Sequence, residues 1–567
     1  MDELLIKNGT VIDGTGAPRK QADVLIAGDR IKAVGKGLGT TGQVVDADGL
    51  VVIPGIIDPH THMDGQFFFE PKGTSSSWHG VTTVLMGHCG YSMAPIRPEH
   101  KDYIIHMFAR VEEVPPTILE NYLPWDWETF PQYLDSLDRG LGINAVSQVG
   151  HSTLRYYVMG PDAIKRKSTD AEVLQMRKLL RESLDAGAFG FTTSRSPSQM
   201  DWSGGPVPSR WAGPEEVIEL ASELKSMNVG CLGLIPAGLF AGKMTDEDIH
   251  VILSMAKRSG GKPIQINGSM KQDTWQWMHD VGKQGATVYG VAASQPPYRF
   301  WTLQDGTNVF NSLDTWFDVW KKPLEERLRL YGSPELRPTL RNEVDGESNI
   351  PAEKLRRNRI NWAEMRIAKA HRPENRHLEG TSILDLSTRQ SKHRVDTLLD
   401  FAQSEDWKTL FITRHVAEAK WLDKERGAFY RMPNVYPMNT DAGAHLHQEC
   451  KTGEATYFLK KWVMDLGVMS LEEGVRKVTS QAAKFIGLPD RGVIKEGMAA
   501  DIAVFDLQNL DCLTKEPLND LPDGSRRWIQ RATGVKHVFV NGVAIIKDGK
   551  EAGALPGKVI RSSWYRS

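Results

Sequence analysis

Eight short apolar runs, most of them separated by amphipathic stretches, constrain this chain more than any other feature. They are LVVIPGIID (50–58), VTTVLMG (81–87), INAVSQVG (143–150), FGFTTSR (189–195), VGCLGLI (229–235), PIQINGS (263–269), ATVYGVAA (286–293) and NVYPMNT (434–440). Each has the length of a strand, and intervening segments such as DAEVLQMRKLLRESLDAG and PEEVIELASELKSM have helical spacing, the second beginning at a helix-starting proline. Apolar strands alternating with helices form parallel sheets. Eight of them favour closure into a TIM-like (β/α)8 barrel over an open doubly wound sheet.

The two ends read differently. LLIKNGTVIDG and QVVDADGLVVIPG near the start, and GVIKEGMAADIAVFD and VKHVFVNGVAIIKDGK near the end, are β-branched runs broken by turn dipeptides. They predict one small β-sandwich built from residues 1–54 and 485–567, with the barrel spanning 55–484. Chain ends commonly meet in this way.

Between the seventh and eighth runs, residues 294–433 far exceed an ordinary connection and carry Trp301, Trp316, Trp320, Trp362, Trp407 and Trp421. They are expected to form a helical insertion with a small core of its own, a lid supplying substrate contacts, or both.

Composition excludes several classes of function. The net charge of the 567 residues is -2, with no basic block or stripe to meet nucleic acid, which leaves a small molecule as the expected partner. Cys89, Cys231, Cys450 and Cys512 lie far apart, with neither a disulfide framework nor a CxxC pair. No signal-peptide pattern opens the chain and no apolar run nears the roughly 20 residues needed to cross a bilayer. The expectation is a cytoplasmic, reduced protein away from membranes, with homo-oligomers open.

The chemistry begins at PGIIDPHTHMD, where His60 and His62, two apart on an extended strand end, point to one side. Isolated HxH pairs are weak signals. Coming straight off the first barrel strand beside Asp58 and Asp64, this pair reads as a metal site. Cys89 follows the second strand in GVTTVLMGHCG; a ligand and an inert buried thiol both remain open. His88 beside it is expected to point away. NVYPMNTDAGAHLH delivers Asp441 from the last strand, either as a proton acceptor beside the metal or as a helix N-cap. His445 and His447 are left between substrate orientation and capping.

GTVIDGTGAP, PGIIDPHTH, GVTTVLMGHCG, GVIKEGMAADIAVFD and HVFVNG together resemble the amidohydrolase superfamily, within it the D-aminoacylase (N-acyl-D-amino-acid deacylase) group. The resemblance covers both ends and most barrel strands and is weakest in the insertion. It implies a barrel with a β-sandwich, a mono- or dinuclear zinc centre activating water, Cys89 as a zinc ligand, and Asp441 as general base and then acid. One departure stands out. That group places a metal-binding histidine at the end of strands five and six, whereas CLGLIPAGL and PIQINGSMKQ contain none, with Asn267 and Ser269 near the second position. Neutral amide and hydroxyl oxygens are poor zinc donors, so one zinc ion is expected rather than two, held by His60, His62 and Asp441 with Cys89 or water.

His151 after the third strand and Lys271 after the sixth are candidate substrate-binding residues. The alternatives are a satisfied structural histidine and a solvated lysine. The leading functional expectation is metal-dependent hydrolysis of an amide C–N bond, in an N-acyl amino acid. The alternatives are a metal-dependent lyase or decarboxylase acting on an aromatic or carboxylate substrate, and a metal-free binding or scaffold protein.

Overall fold

The computed structural model describes residues 3–40, 42–238, 244–267, 272–305, 307–351, 359–414, 420 and 422–565. The chain opens with β1 (Glu3–Val11), β2 (Lys20–Ala27), β3 (Arg30–Gly35), β4 (Gln43–Asp46) and β5 (Val51–Pro54). The barrel follows with β6 (Ile56–Asp58), β7 (Val81–Met86), β8 (Asn144–Ser147), β9 (Val149–Gly150), β10 (Gly190–Ser194), β11 (Cys231–Ile235), β12 (Ile264–Asn267) and β13 (Val288–Val291). β14 (Tyr298–Trp301), β15 (Met365–Lys369) and β16 (Leu410–Arg414) belong to the insertion, and β17 (Val435–Tyr436) returns to the barrel. The C-terminal part contributes β18 (Ile502–Phe505), four short strands β19 (Asp511–Cys512), β20 (Glu516–Leu518), β21 (Arg527–Ile529) and β22 (Ala532–Thr533), and finally β23 (Val535–Val540), β24 (Val543–Lys547) and β25 (Lys550–Glu551).

All pairs within β6–β7–β8 and within β9–β10–β11–β12–β13–β17 are parallel. β8 and β9 are two halves of one run, broken at Gln148. The ring closes where Thr61, beyond β6, bridges Ala442, beyond β17. The result is the (β/α)8 barrel. Leu85, Val146, Phe189, Cys231, Tyr289 and Tyr436, from different strands, meet in one buried cluster with Phe485. Such a meeting is possible only inside the barrel. Cys231 is thereby a packing residue.

Both ends of the chain enter a single sheet in the order β25-β24-β23-β18-β5-β1-β2-β3, with β4 also on β1. The first apolar run serves two structures. β5 pairs antiparallel with β18 in the terminal sheet, and β6 pairs with β7 in the barrel. Gly55 stands at the change of sheet, where a Cβ would collide with the Thr82 side chain.

The insertion is less helical than its sequence predicts. Helices Asp314–Trp320, Leu324–Gly332, Arg337–Gly346, Ile383–Gln390 and Arg394–Ser404 accompany an antiparallel sheet, β14-β16-β15. Trp301, Trp316 and Trp362 are buried with Leu340, Leu398 and Phe411 in a separate core. Trp421 lies outside the described residues.

Candidate metal centre

The side chains singled out after β6, β7 and β17 converge at the carboxyl end of the barrel. Thr61 bonds the Leu85 carbonyl through both its backbone N–H and its hydroxyl, at 3.0 and 2.9 Å. Its neighbours His60 and His62 are therefore presented to the opposite side. The His62 N–H donates to Ala442 at 2.7 Å, and Asp58 accepts from the His60 N–H (3.1 Å) and the Thr440 hydroxyl (2.6 Å). These bonds tie the ends of the first and last strands together. Burial raises Asp58 to about 7, opposed by those two hydrogen bonds. Gly443 allows the close approach beside Asp441, since a Cβ there would strike the His62 carbonyl.

The ligand-capable atoms of His60, His62 and Cys89 all lie within 4.8 Å of one another. Cys89 Sγ is 3.5 Å from His60 Nε2, and Asp441 Oδ1 is 3.3 Å from His60 Nε2 and 3.9 Å from His62 Nε2. Burial holds His62 down, to about 3, so its imidazole is neutral with a lone pair to offer. Burial pushes the Cys89 thiol well up, helped by Glu112 and Asp441, so a thiolate there needs a cation beside it. Burial alone would also raise Asp441, but the Lys451 ammonium bonded to Oδ2, with His60, holds it well below the usual carboxylate range. Two imidazoles, a thiolate and a carboxylate are a zinc-type donor set, and these residues fit that ion.

Gln265 turns His60 toward this set. Its Nε2 donates to the Pro59 carbonyl at 3.0 Å, so its Oε1, 3.0 Å from His60 Nδ1, must accept the ring proton there. The His60 Nε2 lone pair is left facing Cys89 and Asp441. Ligating histidines are commonly oriented by such a second hydrogen bond. Gln265 stands on β12, one of the two strands that contribute no histidine. Ile264 and Ile266 on either side belong to the outer core, so alternation turns Gln265 inward. One polar residue between two apolar ones on a barrel strand is the sequence signal that could have found it.

Three other neighbours were not legible in the sequence. Lys451 reaches Asp441 from ten residues further on. Glu112, just past the helix Lys101–Val111, lies 3.5 Å from His62 Nε2. Glu113 accepts from His445 Nδ1 at 2.8 Å and from Arg299 of the insertion at 2.6 Å, and Arg299 also lies 3.3 Å from Glu449. The insertion is thus wired to the mouth through Arg299. Cys89, Glu113, Asp441 and His445 all have positive φ, at 59°, 53°, 46° and 56°. Non-glycine residues in that region are uncommon and gather at functional sites.

The remaining candidates fall elsewhere. His151 is fully buried; its Nδ1 lies 2.8 Å from the Thr193 hydroxyl and its Nε2 lies 2.8 Å from Glu216, which also takes Arg155. Neither ring nitrogen is left for a substrate. Lys271 and Ser269 lie outside the described residues, as does the Asn267 side chain. His88 does not point away; its ring stacks on His60 at 4.2 Å between centroids. His447 is half-buried, and its carbonyl accepts from the Trp528 indole N–H at 3.0 Å.

A closed parallel barrel whose mouth carries clustered histidine, cysteine and carboxylate donors defines a barrel protein with a candidate metal centre. The sequence matches the amidohydrolase family over residues 43–293 and 436–546, well over half of its length and on both sides of the insertion, and the chain belongs to that family. It is 26% identical over 568 residues to the D-aminoacylase of Alcaligenes xylosoxydans xylosoxydans, covering 98% of this chain and 97% of that protein. Its identity to the same organism's N-acyl-D-aspartate deacylase is also 26%, covering 98% and 95%. Among solved structures, the N-acyl-D-glutamate deacylase of Bordetella bronchiseptica, complexed with zinc and a phosphonate mimic of the tetrahedral intermediate, shares the fold. The TM-score is 0.65 at 22% identity, covering 99% of each chain. Among the described residues no helix is long and apolar enough to cross a membrane.

Proposed function

We propose that this protein hydrolyses the amide C–N bond of an N-acyl amino acid, using one zinc ion held by His60, His62, Cys89 and Asp441. The observation that carries this reading is the meeting of His60, His62 and Cys89 within 4.8 Å, with Asp441 3.3 Å from His60. The deacylase names of its relatives point the same way and give no support to a lyase.

Zinc, when bound, supplies Lewis acidity and brings the pKa of water from 15.7 to about 7. Asp441 accepts the proton of the attacking water and returns it to the departing amine. Lys451 keeps Asp441 ionised and fixes which of its oxygens faces the two histidines. Gln265 holds the His60 ring in the productive tautomer. The Arg299–Glu113–His445 chain sets the position of the loop after Asp441.

The test is metal analysis of the purified protein followed by a screen of N-acyl amino acids of both hands. About one zinc per chain and chelator-sensitive release of free amino acid support the reading. A metal-free protein, or one inert on the whole panel when zinc-loaded, contradicts it.

A further inference from the structure

The fifth and sixth strands supply no imidazole to the centre, yet another donor stands beside His62. Glu112 Oε2 is 3.5 Å from His62 Nε2, on a residue that is 3% exposed. Its backbone is pinned on both sides: its N–H completes the last turn of the preceding helix by donating to Phe108, and its carbonyl accepts from the His445 N–H. The position is therefore set by the helix and by the loop that carries Asp441.

Neighbouring donors are spaced like adjacent ligands, with Glu112 set beside the His60, His62 and Cys89 group whose donor atoms all lie within 4.8 Å of one another. In a four- or five-coordinate site, neighbouring donors bound at about 2.0–2.3 Å stand about 2.8–4.0 Å from one another. The Cys89–His60, Asp441–His60 and Glu112–His62 separations are 3.5, 3.3 and 3.5 Å. The two N···O separations exceed the 2.7–3.2 Å range of a direct N–H···O hydrogen bond.

Charge leads to the same conclusion. Among the described residues, His62 is the only basic group within 4.0 Å of the Glu112 carboxylate, whereas Lys451 is committed to Asp441. Asp441, Glu113 and Asp64 add negative field around it, offset in part by the Lys451 ammonium. A buried carboxylate among carboxylates, next to a neutral imidazole, is costly unless a cation is present.

We propose that Glu112 is a further protein ligand of the metal on the His62 side, in place of the histidines absent from β11 and β12. The inference rests on the reading of this site as a metal centre.

The experiment measures zinc affinity of the metal-stripped protein by competition with a chromogenic chelator, for wild type, Glu112→Gln and Cys89→Ser. It also determines a crystal structure of the zinc-loaded wild type. Glu112→Gln keeps the shape and loses the charge, and its zinc Kd is expected to rise at least tenfold. In the crystal, a Glu112 oxygen is expected at about 2.0–2.2 Å from zinc. A Glu112→Gln Kd within twofold of wild type while Cys89→Ser binds weakly would overturn the Glu112 assignment alone. A crystal with zinc on His60 and His62 but Glu112 beyond about 3 Å overturns it too, even where the variant fails to fold. Wild type that binds no zinc overturns the metal centre itself.

Discussion

Gln265 accepts the Nδ1 proton of His60 across 3.0 Å, and so a strand without a histidine decides which nitrogen of the first-strand histidine faces the metal centre. Gln265→Leu removes this acceptor and strands a buried N–H and the Pro59 carbonyl. Zinc affinity should fall about 10–100-fold, the range for loss of such an outer partner. Gln265→Glu keeps an acceptor and should recover most of it. A chelator-competition assay measures both, and unchanged affinity in Gln265→Leu removes the orienting role.

Cys89 is the donor whose two readings metal content separates. An alcohol is a far weaker zinc donor than a thiolate. Cys89→Ser should therefore lower the zinc content of purified protein in a chain that still folds by circular dichroism. Full zinc content would return Cys89 to packing.

Arg299 is the insertion's contact with the mouth, set between Glu113 and Glu449. Arg299→Met leaves those carboxylates facing each other with little solvent. Breaking one side of a buried pair typically costs about 3–5 kcal/mol, so the variant should unfold at clearly lower denaturant. Denaturant melts read this. Stability within about 0.5 kcal/mol of wild type would show that the insertion docks without it.

His151 supplies the contrast. Its ring is shared between Thr193 and Glu216, away from any open position. His151→Leu should destabilise the fold by about 1–3 kcal/mol through the unpaired groups it leaves. Zinc content and KM should stay near wild type. A raised KM with normal stability would restore the substrate role.

The barrel was legible because each of its strands is a self-contained apolar run, an arrangement set by burial on both faces. The switch of sheet at Gly55 was hidden inside one such run, because both halves are equally apolar. The three-stranded sheet of the insertion escaped notice because its strands are short and far apart in sequence, and Trp301 and Phe411 meet only in the folded core. At the site, His60, His62, Cys89 and Asp441 were readable from their places just after strands. Gln265 could have been read from alternation. Glu112 and Lys451 could not, since their nearness to His62 and Asp441 is made by helix packing and by a loop whose path no local pattern encodes. His151 also follows a strand, but the helix it opens turns it toward Glu216, the satisfied structural alternative.

The proposed hydrolysis turns on Asp441 as the group that moves the proton. Asp441→Asn preserves size and one oxygen toward the histidines and removes the charge. The decisive measurement is kcat for hydrolysis of the best N-acyl amino acid by this variant, with zinc content determined on the same sample. With zinc supplied to saturation to offset the weaker amide ligand, kcat is expected to fall about 10²–10⁴-fold with KM little changed. A zinc-loaded variant whose kcat stays within a few-fold of wild type would contradict it.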